Sequence, residues 1–251
     1  MNYEFTLSGK TALVTGASRG IGQAIAIGLA KAGARVGLVA RSDCAETEKA
    51  IRAAGGEAIA FATDLADDKA IPGLVEQFLG HFGKIDILVN NAGIISRKPL
   101  FEHDAATWDN VLNVNLRNVF LLSREAARPM VDAGSGKIIN IASMLSFQGG
   151  ILVPSYTASK TALLGLTRAL CNELASANIC VNAIAPGYIN TDATEALRND
   201  PVRSKAILER IPAGRWGRPE DIAGAAVFLS SAGADYINGA VLPVDGGWLA
   251  R

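Results

Sequence analysis

Lys10-Thr11-Ala12-Leu13-Val14-Thr15-Gly16-Ala17-Ser18-Arg19-Gly20-Ile21-Gly22 is the stretch that decides the fold. Its first half is apolar and β-branched, the composition of a short buried strand. It runs directly into a glycine-rich turn. Beyond the turn, Ile21, Ala24, Ile25, Gly28, Leu29 and Ala32 recur at helical spacing until Gly33 ends the helix. Strand, glycine turn, helix is the context in which a glycine pattern becomes a phosphate site. Gly16, Gly20 and Gly22 permit the tight turn and let backbone N–H groups approach a pyrophosphate, while the helix N-terminus adds partial positive charge. The spacing is G-x-x-x-G-x-G, so the loop is longer than in G-x-G-x-x-G proteins. We read it as a dinucleotide-binding unit, with Ser18, Arg19 and Ile21 beside the glycines.

The second strand, Ala34 to Ala40, bears on which dinucleotide binds. A reader of the ribose 2′-hydroxyl is an Asp or Glu at this strand's tip. Here the tip is Ala40-Arg41-Ser42. Arg41, joined by Arg19 from the glycine loop, favours a 2′-phosphate, hence NADP(H). The alternative is NAD(H), with both arginines solvated and Asp43 on the ribose.

Working outward, apolar runs recur near Thr11, Val36, Ala58, Ile85, Ile138, Val181 and Val241. Helical patterns lie between them, among them Asp68 to Phe82, Trp108 to Met130 and Ser155 to Ala177. Strand–helix alternation implies an α/β fold with parallel strands and right-handed crossovers. We expect a single-domain Rossmann fold over residues 1–251, a seven-stranded parallel sheet with helices on both faces. Residues 187–219, polar and irregular, are expected to form a substrate-binding lid.

Tyr156 and Lys160 stand one helical turn apart in Ser155-Tyr156-Thr157-Ala158-Ser159-Lys160, and Ser143 precedes them on another segment. A free tyrosine has a pKa of about 10 and is a poor base at neutral pH. A lysine cation one turn away stabilises the phenolate, and a serine hydroxyl holds a substrate oxygen beside it. The chemistry this suggests is proton transfer at an alcohol or carbonyl.

With these residues in order, the chain resembles the short-chain dehydrogenase/reductase family over essentially its whole length. Further motifs carry the likeness: Asp64-Leu65, Asn90-Asn91-Ala92-Gly93, Asn113-Val114-Asn115 and Pro186-Gly187. The resemblance implies that Tyr156 is the general acid/base, that Ser143 bonds the reacting oxygen, and that Lys160 holds the nicotinamide ribose and lowers the tyrosine's pKa. It implies that Asn115 keeps a water in the proton path to Lys160. Asp64 and Leu65 would border the adenine, and Asn91, Ala92 and Gly93 the adenosine. The backbone from Pro186 through Gly187 and Ile189 to Thr191 would grip the carboxamide. It also implies a homotetramer of two-fold symmetry, for which apolar surface on the Trp108 and Ser155 helices is available.

Ala142 to Gly150, Gly93 to Arg97 and the ending Val244 to Arg251 are similar to the sugar-acid branch of that family, the 2-dehydro-3-deoxy-D-gluconate 5-dehydrogenases, also called 2-deoxy-D-gluconate 3-dehydrogenases, with the gluconate 5-dehydrogenases nearby. A sugar acid needs a cation for its carboxylate and partners for its hydroxyls. Arg97 and Arg215 are the expected clamps, Gln148 a hydroxyl partner, and Trp216 a surface for a carbon face. The expected partner is therefore a small-molecule substrate. A 3-oxoacyl-carrier-protein reductase is the rival within the enzymes, and a non-catalytic NAD(P)-binding sensor the rival outside them.

The composition narrows the classes. Of 251 residues, 24 are Lys or Arg and 24 Asp or Glu, a net charge of zero that argues against a nucleic-acid surface and a polybasic membrane anchor. The apolar runs are too short to span a bilayer, and Met1-Asn2-Tyr3-Glu4-Phe5 shows no export signal. Three cysteines without a C-x-x-C pair read as reduced thiols, so the expected location is cytoplasmic. Two histidines without ligand spacing make no metal site.

Overall fold

Alternation of apolar side chains sets the sheet. In β1 (Thr11–Thr15), Ala12 and Val14 enter one core and Leu13 the other. The chain continues through α1 (Gly20–Lys31), β2 (Arg35–Ala40), α2 (Ala45–Ala53), β3 (Ala58–Ala62), α3 (Ala70–Phe82) and β4 (Ile87–Asn90). Then come α4 (Ala105–Leu112), α5 (Asn118–Ala133), β5 (Gly136–Ile141), α6 (Pro154–Leu174) and β6 (Ile179–Pro186). The last elements are α7 (Glu195–Asn199), α8 (Pro201–Arg210), α9 (Pro219–Ser230) and β7 (Val241–Val244). This computed structural model describes residues 5–251; Met1–Glu4, which begin the stretch inspected above for an export signal, lie outside the described residues.

All seven strands are parallel, in the order β3-β2-β1-β4-β5-β6-β7. The fold is the single-domain Rossmann-like α/β architecture that the alternation of strand and helix implies. β1 has β2 on one side and β4 on the other, so the strand order reverses there and a crevice opens at the carboxyl ends. Residues of α1 and α9 cover one face of the sheet, joined by Ile51 of α2, and residues of α3, α5 and α6 cover the other. Gly37 of β2 has a packing reason: a Cβ there would meet the Phe78 ring at 2.6 Å. Among the described residues, no helix is long and apolar enough to cross a membrane.

Two segments differ from expectation. The helix expected from Trp108 to Met130 is α4 and α5 joined by a π-helical segment, Asn113–Arg117. Such an insertion re-aims the side chains of its own turn. The expected lid is also more regular than its composition suggests. Asp200 accepts hydrogen bonds from the N–H groups of Val202 and Arg203, and Pro201 occupies the first turn, so α8 starts as a capped helix.

Candidate active site

The β1–α1 loop forms one wall of the crevice. Gly16 and Gly20 have φ of 64° and 59°, which other residues adopt at a cost. At Gly22 a Cβ would lie under 3.0 Å from both the Gly16 carbonyl oxygen and Asn91 Nδ2. The loop is fixed from behind. Thr47 Oγ1 donates to the Ala17 carbonyl at 2.8 Å, and Asn91 Nδ2 donates to the Thr15 carbonyl at 2.9 Å. Arg19 stands at the N-cap of α1 in extended conformation and provides no side-chain cap. The first N–H groups of α1 are therefore left for an anion, which is what a pyrophosphate requires.

A cavity of about 1160 Å³ extends from this loop. Gly16, Ser18, Arg19, Gly20, Ile21, Gly22 and Arg41 line it on one side, with Asp64, Leu65, Asn91, Ala92, Gly93 and Thr191 around the rest. Ser42 Oγ donates to Ser18 Oγ at 2.9 Å, tying the β2 tip to the glycine loop. Arg41 lies 3.9 Å from Asp64, and Arg19 3.1 Å from Asp192; all four side chains are largely exposed. Such pairs exchange partners easily. Asp43 accepts the Ala45 N–H at 2.9 Å and so serves the start of α2. The volume, the open helix terminus and the glycine-only approach fit a dinucleotide. Asn113, which the sequence offered only as part of the motif around Asn115, and Asn118, which it did not single out, donate from their side chains to the carbonyls of Ala66 and Leu65 and hold the loop after β3. The only sequence signal for them was their place beside Asn115.

A second cavity, of about 520 Å³, adjoins the first. Ser143, Tyr156 and Lys160 all line it. Ser143 follows β5 and opens a short turn. Its Oγ accepts the Leu145 N–H at 3.1 Å, and Ser146 Oγ donates to the Lys160 carbonyl at 2.6 Å, stitching that turn to α6. Lys160 is 5% exposed, its ammonium donates to the Ile141 carbonyl at 2.6 Å, and burial pushes its pKa down to about 8. Burial raises the Tyr156 phenol above its ordinary value, while the Ser143 hydroxyl and then the Arg97 guanidinium pull it down. Lys160 Nζ is 5.7 Å from the centre of the Tyr156 ring. The ammonium thus stands between the Ile141 carbonyl and the Tyr156 ring.

Asn115 is 1% exposed and sits in the π segment. Its side chain accepts the Ile94 N–H at 2.8 Å and donates to the Ile94 carbonyl at 2.9 Å and to Ser159 Oγ at 3.2 Å. A Cβ at Gly93 would stand 3.2 Å from Asn115 Oδ1 and 3.8 Å from Lys160 Nζ. The π turn thus locks the β4 loop and α6 around the lysine. Pro186, Gly187, Ile189 and Thr191 form the wall after β6. Gly187 is needed there because a Cβ would come within 2.6 Å of the Asp245 backbone.

Of the expected substrate groups, Arg97 and Gln148 line the cavity. Arg215 does not, and this corrects its expected role as a clamp. Its guanidinium makes a two-pronged pair with Asp221, at 2.7 and 3.1 Å, and holds the start of α9. Trp216 likewise stacks edge-on against Tyr188 outside the cavity wall. The cavity is instead completed by Tyr188, Arg203, Arg210 and Trp248, which sequence reasoning missed. The sequence carried one signal for the two arginines, the Asp200-Pro201 helix start. Among the described residues, the lining holds the cations Arg97, Lys160, Arg203 and Arg210 and no Asp or Glu. Among the described residues none of the three arginines has an ion-pair partner; Arg97 donates to the Ala193 carbonyl and Arg210 to Gln148 Oε1. Such a pocket is poised for an anion.

Comparisons with known proteins bear on this geometry. A family model described as enoyl-(acyl carrier protein) reductase matches residues 16–249. The chain is 54% identical over 248 residues to the 2-dehydro-3-deoxy-D-gluconate 5-dehydrogenase of Dickeya dadantii strain 3937, covering 98% of each chain. Its structure is similar, with a TM-score of 0.94 and 56% identity over 100% of both chains, to an Agrobacterium tumefaciens protein with bound NADP, provisionally described as a 2-deoxy-D-gluconate 3-dehydrogenase. It is also similar to a gluconate 5-dehydrogenase from Burkholderia cenocepacia J2315 in complex with NADP and tartrate, with a TM-score of 0.95 and 39% identity over 99% of this chain and 98% of that one.

Proposed function

This chain belongs to the short-chain dehydrogenase/reductase family, and we propose that it interconverts a secondary alcohol and a ketone on a sugar acid, with NADP(H) as cofactor. The observation that carries the substrate class is the cavity beside Tyr156, lined by four cations and no carboxylate. The D. dadantii relative's name supports 2-dehydro-3-deoxy-D-gluconate in particular. Tartrate, in the complex of the B. cenocepacia protein, is a hydroxy acid of the same chemical kind.

When bound, a nicotinamide dinucleotide accepts or supplies the hydride. The chain supplies the rest. Tyr156 takes the hydroxyl proton in oxidation and returns it in reduction, and Ser143 orients the oxygen. Lys160, with a pKa near 8 in its buried position, carries a proton onward at close to neutral pH. Asn115 holds the β4 loop and α6 in register about that lysine. Arg97, Arg203 and Arg210 together make the cavity favour an acid over neutral or cationic competitors. Residues 187–219, built around α7 and α8, act as the lid that closes over the substrate.

The cofactor preference rests on Arg41 and Arg19, with Ser18 and Ser42 between them. Bound NADP in the A. tumefaciens and B. cenocepacia proteins supports it. Charge-assisted contacts of this kind are worth about 1.5–3 kcal/mol, or about 10–100-fold. Arg41→Ala should therefore raise KM for NADP⁺ by about tenfold or more and leave KM for NAD⁺ nearly unchanged. Unaltered preference in initial-rate assays would remove the phosphate role from Arg41.

The exposed Leu100, Phe101, Trp108 and Phe120 on and near α4 and α5 support pairing with further copies, in a homotetramer. Free thiols at Cys44, Cys171 and Cys180 support a reducing, cytoplasmic location.

A further inference from the structure

We propose that Arg210, seated on the Trp248 ring and tied to Gln148, is the specificity-determining cation that takes the substrate's carboxylate at the end of the cavity away from Tyr156. The proposal rests on the sugar-acid reading above and adds the orientation of the substrate.

α8 presents Arg203, Ile207 and Arg210 on one face, at positions i, i+4 and i+7. Ile207 is 5% exposed and packs with Met144, Ile211 and Trp248, which fixes that face toward the cavity. The Arg210 guanidinium carbon lies 4.0 Å from the centre of the Trp248 ring, and one of its nitrogens donates to Gln148 Oε1 at 3.2 Å. A guanidinium has five N–H donors in a planar fork, so donors remain after Gln148 is served. Stacking on an indole leaves the edges of that fork free for a carboxylate. No Asp or Glu among the described residues competes for it.

The platform is braced. Trp248 is 5% exposed, Asp245 accepts the N–H groups of Gly247 and Leu249 at 2.9 Å each, and the Ala213 N–H donates to the Gly246 carbonyl at 3.0 Å. The C-terminal turn therefore fixes where Arg210 stands.

The cations divide between two ends of the cavity. Arg97 comes from the loop after β4, and its charge is felt by Tyr156. Arg203 and Arg210 come from α8, and their charges are felt by Tyr188, whose ring is 4.8 Å from that of Trp248. In oxidation at C5 of a six-carbon acid, the carboxylate lies four carbon–carbon bonds of about 1.5 Å from the reacting carbon, or about 5 Å extended. With the reacting carbon at Ser143 and Tyr156, the carboxylate belongs at the α8 end. Arg97 then serves the reacting end.

The test compares wild type, Arg210→Met, Arg210→Lys and Lys205→Met with 2-dehydro-3-deoxy-D-gluconate and with its neutral amide. Lys205 is the control: it is a cation of the same helix but does not line the cavity. Arg210→Met should raise KM for the acid about 10–100-fold, leave kcat within about threefold, and erase the preference for acid over amide. Arg210→Lys should restore part of that preference, and Lys205→Met should behave as wild type. Unchanged NADPH affinity in each variant certifies the fold. The proposal is overturned if Arg210→Met keeps its acid KM within about twofold, or if acid and amide suffer equally. Wild type inactive on the acid would overturn the sugar-acid reading itself, and the proposal with it.

Discussion

Tyr156→Phe should lower kcat by about three orders of magnitude while NADP(H) still binds, since general acid–base catalysis contributes about 10²–10⁴-fold. Phenylalanine keeps the ring and removes only the hydroxyl oxygen. Its neighbours keep other anchors when the contact of that oxygen with Ser143 is lost. Lys160 is anchored on the Ile141 carbonyl, and Ser143 on the Leu145 N–H. The variant therefore isolates the proton-transfer step from folding and from cofactor affinity. Stopped-flow hydride transfer and NADPH fluorescence titration read the two separately. Turnover within tenfold of wild type would move the chemistry away from Tyr156. It would also revive the reading of this chain as a nucleotide-binding sensor, for which a tyrosine in this position has no work to do.

Gly22→Ala should damage both stability and cofactor affinity. The added methyl would lie under 3.0 Å from the Gly16 carbonyl and Asn91 Nδ2, and that amide already bonds the Thr15 carbonyl at 2.9 Å. Neither neighbour is the free end of a flexible side chain, so the loop itself has to move. Overpacking of this kind costs about 1–3 kcal/mol. The displaced N–H groups also lose their aim at the pyrophosphate, so Kd for NADPH should rise at least tenfold. Gly224, in α9, has nothing within 4 Å of its would-be Cβ. Gly224→Ala should raise stability by about 0.5–1 kcal/mol, because the same methyl there meets open space and improves helix propensity. Thermal melts and NADPH titration of both variants check the contrast. An unaltered Tm and Kd in Gly22→Ala would contradict the close approach.

Much of the fold was legible because its signals are local. The apolar stretch before Gly16 and the helical repeat after it predict β1 and α1, and strand–helix alternation predicts the parallel sheet. Tyr156 and Lys160 share one helix, as their spacing implies, but that spacing gains weight only beside the glycine loop and the other motifs. The π segment around Asn115 was not legible, because it is an adjustment of the backbone that no side-chain period encodes. Arg215 pairs with Asp221, an acid in the first turn of α9 that lies six residues away in sequence and is the local clue to a structural role. Arg210 was missed for two reasons. Its helix begins in a polar stretch that hides the Asp200-Pro201 start, and its platform, Trp248, reaches it through a long-range fold of the C-terminal turn. The α8 end of the cavity is thus set by tertiary contacts, and the Tyr156 end largely by secondary structure.

The most direct test is the initial rate of NADP⁺ and NAD⁺ reduction by the purified protein, with sugar acids and with their neutral amides at matched concentrations. An anion-selective cavity predicts a kcat/KM for the acid about a hundredfold above that for its amide, the worth of about 3 kcal/mol, with NADP⁺ preferred over NAD⁺. Equal rates on acid and amide, or no turnover of any sugar acid, would contradict it.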